Sequence, residues 1–180
     1  MKIENLLQTL ESGGVIRFHA CPKMRKQRLS DHQWKVALIA EYLLPKLSKN
    51  GMMYALTHDR SELVTGDIPA TLKWEFPEIK ECLKGIETRY DSDYDVSALE
   101  RLAVKLADVV EGMLFCKESY EDGCKEAKVI FSRWTKYLFD YLADSATKDI
   151  LVKSGDDAEE LLNRLESLLD ECIPAMTGAR

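Results

Sequence analysis

The chain has few cysteines, and none of them lie at the spacing of a metal-binding or redox pair. The five cysteines are Cys21, Cys82, Cys116, Cys124 and Cys172, an odd number with no C-x-x-C pair. A disulfide framework or a structural zinc site built from cysteine is therefore not expected. Reduced thiols of this kind are typical of an intracellular protein.

Long hydrophobic runs and an excess of basic residues are also absent. No apolar run approaches the roughly 18–20 residues needed to cross a bilayer, and no basic and apolar leader opens the chain. Asp and Glu outnumber Lys and Arg by 31 to 25, which gives a net charge of −6 and a pI of about 5.2. Because duplex binding usually needs a basic face, this charge argues against a nucleic-acid polymer as partner. We expect a soluble cytoplasmic protein with no membrane partner, which could still hold a small anionic ligand.

The apolar pattern predicts helices along almost the whole chain and no convincing strand. The predicted helical stretches are 1–11, 30–44, 52–59, 74–90, 96–118, 125–142 and 156–172. Ser30 is predicted to be the N-cap of the second helix, and Asp91 to Asp93 are predicted to form a turn. A chain of 180 residues is long enough for one good core. The predicted class is therefore all-α, a compact bundle of five to seven helices in a single domain over residues 1–180.

One short run, Ala55 to Lys73, concentrates the residues that carry chemistry. Its letters are ALTHDRSELVTGDIPATLK. His58 and Asp59 are expected on a helix, and Glu62 follows three residues after Asp59 and four after His58, which places it on the same helical face. Asp67 lies in the turn that ends this helix. The run therefore predicts a compact site made of acidic residues and a metal-binding pair.

Two imidazoles and two carboxylates could hold one divalent cation with its charge balanced. The chain has only three histidines, His19, His32 and His58. His32, His58 and the adjacent Asp59 could supply three of the four ligands. We expect the fourth ligand to be Asp108, because it is flanked on both sides by apolar residues, where a lone carboxylate needs a cation or hydrogen-bond donors. Mixed imidazole and carboxylate ligands suit Mn, Fe, Co, Ni or Zn better than Ca or Mg.

Four further residues could serve a reaction at such a cation. Glu62 could orient a metal-bound water or pass its proton, and Asp67 could support the site or act on a leaving group. Lys73 could reach a phosphate as a point charge, and Arg17 could give a forked contact to a sugar hydroxyl or a phosphate. Each residue has a structural alternative: a lone histidine or aspartate can be a satisfied core residue, and a lysine or arginine can be a solvated charge.

The ordered set of residues resembles the HD-domain metal phosphohydrolase superfamily. The run H-D-x-S-E-x-x-T-G-D-x-P, from His58 to Pro69, is similar to the bacterial 5′-deoxynucleotidase subgroup and its phage relatives. Upstream Ser30-Asp31-His32 and downstream Val104-Lys105-x-Ala107-Asp108 agree with it in order and approximate spacing. The resemblance covers residues 15 to 118, and no motif is matched from residue 119 onward.

The resemblance implies an all-helical HD-domain fold, a homo-oligomer, a divalent transition-metal ion (Co, Mn or Zn) and a small-molecule deoxynucleotide substrate. It implies these metal ligands: His32, His58, Asp59 and Asp108. It implies two catalytic carboxylates, Glu62 and Asp67. The substrate-binding residues it implies are Arg17 with Phe18, an Arg-aromatic pair that reads the deoxyribose and packs near the base, and Lys73, which would hold phosphate.

The expected reaction is hydrolysis of a purine deoxynucleotide, with dATP split into deoxyadenosine and triphosphate as the first hypothesis. The compact length and the Arg-aromatic-His segment are more similar to phage hydrolases of that kind, and a phage-encoded protein would act in the host cytoplasm. Basic residues of the loop before the first metal histidine would suit a longer phosphate tail: Lys23, Arg25, Lys26 and Arg28. The alternatives are a 5′-deoxynucleotidase that releases phosphate from monophosphates, and a non-catalytic helical binding module with a vestigial site. Other HD reactions, such as cyclic-nucleotide or alarmone hydrolysis, lack the T-G-D-x-P run.

Overall fold

The computed structural model describes residues 2–90 and 94–172, and the predicted turn at Asp91 to Asp93 lies outside them. In the described part the elements follow in this order: α1 (Ile3–Ser12), β1 (Ile16–Arg17), β2 (Gln27–Arg28), α2 (Leu29–Leu43), α3 (Lys49–Ala55), α4 (Glu62–Thr65), α5 (Ala70–Glu75), α6 (Pro77–Tyr90), α7 (Ala98–Glu121), α8 (Ala127–Ala143), α9 (Ser145–Ser154) and α10 (Asp156–Cys172). The all-α class is confirmed. None of the described helices is long and apolar enough to cross a bilayer.

The helix count of five to seven is too low for the described residues. Three short helices there have no counterpart among the predicted stretches, with bounds Glu62–Thr65, Ala70–Glu75 and Ser145–Ser154. Each shows too few apolar periods for its pattern to stand out in the sequence. The stretch predicted as one partly helical segment over 74–90 is divided at Pro77, which begins α6 because proline is favoured in the first turn of a helix.

A two-stranded antiparallel ribbon replaces the loop expected after α1. Ile16 pairs with Arg28, and Arg17 pairs with Gln27. Each strand has only two residues, so the sequence offers no alternation from which it could be recognised. The ribbon brings Arg17 into the interior, where the residue is 7% exposed.

Helix α7 is the centre of the core. It packs against α2, α3, α8, α9 and α10. Apolar residues on all sides of its middle are buried: Leu102, Ala103, Leu106, Ala107, Val109, Val110 and Met113. A helix that is apolar all round belongs inside a protein, so a carboxylate at position 108 or 111 of this helix necessarily enters the interior and needs partners there.

The start of α2 differs from the prediction. The helix begins at Leu29, its N-cap is Arg28, and no side chain caps it, so Ser30 is not the N-cap. The first free amides are instead bonded by backbone: Leu29 N donates to Val15 O at 2.9 Å and Ser30 N donates to Gly13 O at 3.2 Å. Because carbonyls from the preceding segment satisfy these donors, a capping side chain is not required.

Glu100 joins the starts of two helices. It forms a reciprocal capping box with Ser97 at the start of α7. Its Oε1 also accepts from the backbone N–H of Ser48 at 2.9 Å, the residue that caps α3. The end of α3 leads to His58, and α7 carries Asp108, so this one carboxylate fixes the relative position of the two segments.

We expect Glu100→Ala to lower the free energy of unfolding by about 1–3 kcal/mol, because it removes half of a capping box and leaves the Ser48 amide without its partner. Urea unfolding followed by circular dichroism measures this change. Glu121→Ala is the matched control at the other end of α7, where an exposed ion pair joins Glu121 to Lys117 at 3.7 Å. It should change stability by less than about 0.5 kcal/mol. Equal effects of the two changes would contradict the role assigned to Glu100.

Candidate metal centre

Four side chains from three separate segments meet at one point. His32 comes from the first turn of α2, His58 and Asp59 from the segment between α3 and α4, and Asp108 from the middle of α7. One ligand atom of each lies within 4.8 Å of all the others. His32 Nε2 is 3.3 Å from Asp108 Oδ1 and 3.5 Å from Asp59 Oδ2, and His58 Nε2 is 3.2 Å from Asp59 Oδ2. The fold therefore brings together the four residues expected to bind a metal.

The expected helix through His58 and Asp59 is wrong. Helix α3 ends at Ala55, and the chain then runs through successive turns until α4 begins at Glu62. Thr57 N donates to Tyr54 O at 3.0 Å, and Glu62 N donates to Asp59 O at 2.9 Å. Because these bonds join residues three apart, Asp59 and Glu62 still lie one above the other, as side chains three apart do in a tight helical turn.

Both histidines are held through Nδ1. His58 Nδ1 donates to the backbone carbonyl of Ala55 at 2.8 Å, and His32 Nδ1 donates to Glu111 Oε2 at 2.6 Å. The Nε2 atoms of both rings are buried and make no hydrogen bond. Buried nitrogens without a partner, facing two carboxylates, form the donor set that a divalent transition metal prefers.

The charges of the cluster also favour a cation. Burial and the charge of Arg17 lower the pKa of His32, but the three carboxylates of Asp108, Asp59 and Glu111 around the ring outweigh them and raise it to about 10. Burial raises the pKa of Asp108, but the charge of Lys105 and the nearby imidazole of His32 hold it well below its ordinary value. Carboxylates that stabilise a protonated imidazole this strongly also attract a divalent metal ion.

Glu62 lies beside the cluster, and its pKa is shifted in the opposite direction from that of Asp108. Its side chain is buried, and its Oε2 makes no hydrogen bond. Burial and the negative charge of Asp59 raise the pKa of Glu62 to about 9. With Asp59 and Lys73 it lines a small cavity of about 20 Å³, enough space for about one water molecule. Lys73 is therefore on the same side of the site as Glu62, and the action of Glu62 on a water stays a prediction.

Asp67 contacts the loop that follows β1. Its Oδ2 accepts from the backbone N–H of Phe18 at 2.8 Å. Phe18 has a φ of 57°, a left-handed conformation that a bulky residue seldom adopts, and its ring stacks on Phe115 with centroids 4.8 Å apart. The bond to Asp67 and the stacking partner hold Phe18 in this strained conformation. The guanidinium of Arg17 lies 5.7 Å from the Phe18 ring centroid, so the two residues are close to each other.

The basic residues of the loop are engaged in holding the loop itself. Lys23 pairs with Glu126, and Arg25 pairs with Glu118 at 2.8 Å and Asp122 at 3.0 Å. Lys26 Nζ donates to the backbone carbonyls of Phe18 at 3.0 Å and Cys21 at 3.1 Å. These three charges are therefore committed to structure, which removes the sequence-based reason for assigning them to a phosphate tail.

Sequence reasoning missed two charged residues of the site, Lys105 and Glu111. They lie one turn before and one turn after Asp108 on α7. Lys105 Nζ donates to Asp108 Oδ2 at 2.8 Å, and Glu111 accepts from His32. Lys105, Asp108 and Glu111 follow one another at intervals of three residues in an otherwise apolar helix. This spacing could have indicated a shared site, because residues three apart are neighbours on a helix surface.

Comparisons with known proteins find similar sequences. A family model described as 5′-deoxynucleotidase YfbR-like matches residues 6–131. A 5′-deoxynucleotidase of Pasteurella multocida is 26% identical over 162 residues, which cover 74% of this chain and 83% of that protein. The dATP triphosphohydrolase of Cyanophage S-2L is 29% identical over 130 residues, which cover 65% of this chain and 72% of that protein.

Two solved structures have a similar fold. The HD phosphohydrolase DatZ of Cyanophage S-2L, bound to dA and one catalytic Zn²⁺ ion, superposes with a TM-score of 0.67 and 22% identity over 92% of this chain and 96% of that one. An HD-domain phosphohydrolase of Listeria innocua gives a TM-score of 0.54 and 20% identity over 95% of this chain and 100% of that one. The fold of this chain is therefore that of HD-domain phosphohydrolases.

We expect His58→Ala to lose bound metal, because it removes one of two buried imidazole donors from the cluster. Zinc-loaded protein is desalted, and its metal content is measured by mass spectrometry. His19→Ala is the control, since the His19 side chain is 52% exposed and lies outside the four-residue cluster. The control should keep about one zinc ion per chain, and the His58 variant a small fraction of it. Equal zinc content in both variants would refute this ligand assignment.

The raised pKa of Glu62 gives a pH prediction for protein treated with a chelator. The pKa of Glu62 is about 9 in the folded protein, above its ordinary value of 4.5. The stability contributed by its protonated carboxyl is therefore complete below about pH 4.5 and is lost as the pH rises through 9. We expect the free energy of unfolding to fall more steeply between about pH 5 and 8 in the wild type than in Glu62→Gln. Urea titrations across this range measure both slopes. His32 contributes equally to both proteins, so parallel slopes would exclude the raised pKa of Glu62.

Proposed function

Because this chain belongs to the 5′-deoxynucleotidase YfbR-like family, we propose that it is an HD-domain phosphohydrolase that cleaves the 5′ phosphate ester of 2′-deoxynucleotides. The proposed substrate is dATP, which water splits into deoxyadenosine and triphosphate. The observation that carries the proposal is the four-residue cluster with two bare Nε2 atoms, with the buried carboxyl of Glu62 beside it. Such a set suits hydrolysis, which needs a cation, a water and a group that exchanges its proton.

The choice of a triphosphate rests on the phage relatives. The dATP triphosphohydrolase of Cyanophage S-2L is 29% identical to this chain. The superposition on the phage HD phosphohydrolase covers nearly all of both chains, so their lengths and element order agree. Each of these facts supports the dATP reaction without fixing the number of phosphates.

A second candidate is a 5′-deoxynucleotidase that releases phosphate from a deoxynucleoside monophosphate. The family model and the Pasteurella multocida relative carry that description. The ion pairs of Lys23 and Arg25 with carboxylates of α7 and the following segment favour it, because those charges are no longer available for a longer phosphate chain. Both reactions break the same type of bond, so the two candidates differ in the released product.

The proposed roles follow from the positions of the side chains. Four residues from three segments would hold the divalent ion: His32, His58, Asp59 and Asp108. When bound, that ion would acidify a water and polarise a phosphoryl oxygen. In its ionised form, which a bound cation would favour, Glu62 would take the proton of the attacking water at its unpaired Oε2.

The remaining residues bind and orient the deoxynucleotide. Lys73 lies on the cavity beside Glu62 and attracts phosphate as a point charge. Arg17 is buried, and its Nε and Nη1 atoms make no hydrogen bond, so it can donate to a substrate oxygen. Phe18 offers an aromatic face near the base. Asp67, the second proposed catalytic carboxylate, also holds the Phe18 amide, which links the binding loop to the reacting groups.

The test is product analysis with separate substrates. Protein loaded with Zn, Mn or Co is given dATP, dGTP, dAMP or ATP, and the released phosphorus species are identified by ³¹P NMR. We expect triphosphate and deoxyadenosine from dATP and little product from ATP. Orthophosphate from dAMP, with no product from dATP, would establish the second candidate instead.

Glu62→Ala is the control for the site. It removes the proposed proton acceptor and keeps all four proposed ligands, so turnover should be lost while the metal content stays near that of the wild type. Full activity of this variant would show that Glu62 does not move the proton. Metal-loaded wild-type protein that releases nothing from any of the four nucleotides would refute the hydrolase proposal.

A further inference from the structure

Glu111 is a fully buried carboxylate on α7, one helical turn after Asp108. Its side chain is 0% exposed, and its apolar neighbours along the helix, Val109 and Val110, are buried as well. Both of its oxygens have partners. Oε2 accepts from His32 Nδ1 and Oε1 accepts from Gln27 Nε2, each at 2.6 Å. A carboxylate placed this deep is costly unless its partners are present, so the position needs a specific reason for an acid.

We propose that Glu111 is a positioning residue, which holds His32 with its proton on Nδ1 and thereby presents Nε2 to the metal ion. The inference rests on the proposed function, because it concerns the cation of that same site. A neutral imidazole carries one N–H, and a carboxylate that accepts from Nδ1 keeps the N–H there and the Nε2 lone pair free. Nε2 then faces Asp59 and Asp108 at 3.5 and 3.3 Å.

The two histidines of the cluster need different partners because of where they lie. His58 follows the end of α3, where the carbonyl of Ala55 is free to accept from Nδ1 at 2.8 Å. His32 lies inside α2, where the backbone carbonyls are engaged along the helix. A side chain from the neighbouring α7 supplies the missing acceptor. Glu111 therefore does for His32 what the backbone does for His58.

Glu111 also connects the metal site to the ribbon that carries the substrate-binding pair. Gln27 on β2 donates to Oε1, and Arg17 on β1 lies with Nη1 3.6 Å from Oε2. If Glu111 only held the ribbon in place, its replacement would leave the metal affinity unchanged. A positioning role predicts a change at the metal, which is a measurable difference between the two interpretations.

Glu111→Gln separates these interpretations while keeping the size of the side chain. A glutamine amide can donate to Nδ1, and it then leaves the proton on Nε2, the atom that faces the metal. We expect the zinc dissociation constant, measured by competition with a chromophoric chelator, to rise by about 10- to 100-fold. The control is Glu121→Gln, on the same helix with a 54% exposed side chain, which should stay within about twofold of the wild type.

A second measurement needs no variant. The chain has three histidines, so long-range ¹H–¹⁵N NMR spectra of the zinc-loaded wild type can assign each ring tautomer. We expect His32 to carry its proton on Nδ1 and to bind zinc through Nε2. A proton on Nε2 would overturn the inference, as would unchanged zinc affinity in a folded Glu111→Gln protein. Both readouts use zinc alone, so a wild type that binds zinc normally but hydrolyses no nucleotide would count against the proposed function and not against this role.

Discussion

The structure depends on the convergence of three carboxylates on one buried imidazole. Asp59, Asp108 and Glu111 all approach His32, whose side chain is 0% exposed. Like charges this close repel strongly in a protein interior, so positive groups must stand among them. Lys105 Nζ pairs with Asp108 at 2.8 Å, and Arg17 Nη1 lies 3.6 Å from Glu111 Oε2. The two Nε2 atoms without a hydrogen bond suit a divalent ion. These charge contacts connect α2, α7, the turn after α3 and the ribbon.

The sequence allowed the four proposed ligands to be found because each carries a local signal. His58 and Asp59 are adjacent within a specific motif, and Asp108 is an isolated acid in a long apolar run. Glu111 has the same isolated setting, but one acid was enough to complete a four-ligand set, and nothing in the sequence says that His32 needs an acceptor at Nδ1. Its function depends on how far α2 lies from α7, which only the packed fold reveals.

The errors in the fold have a common physical cause. The expected N-cap at Ser30 was wrong because carbonyls of the segment before the ribbon satisfy the first amides of α2. The expected helix through His58 was wrong because the chain there forms successive tight turns rather than continuing α3. In both places backbone hydrogen bonds other than those of the expected helix replace the arrangement that the local sequence pattern favours. The long helices, such as 156–172, were predicted well because their many apolar periods dominate such effects.

The contact between Asp67 and Phe18 uses the backbone of Phe18 and not its side chain. Every amino acid except proline has that N–H, so the anchor that ties the binding loop to the catalytic segment does not depend on which ring stands at position 18. The left-handed φ of 57° narrows the choice toward residues such as asparagine or glycine, while the aromatic side chain is supported separately by Phe115. The side chain at position 18 can therefore be exchanged without loss of the bond that ties this loop to the segment of Asp67.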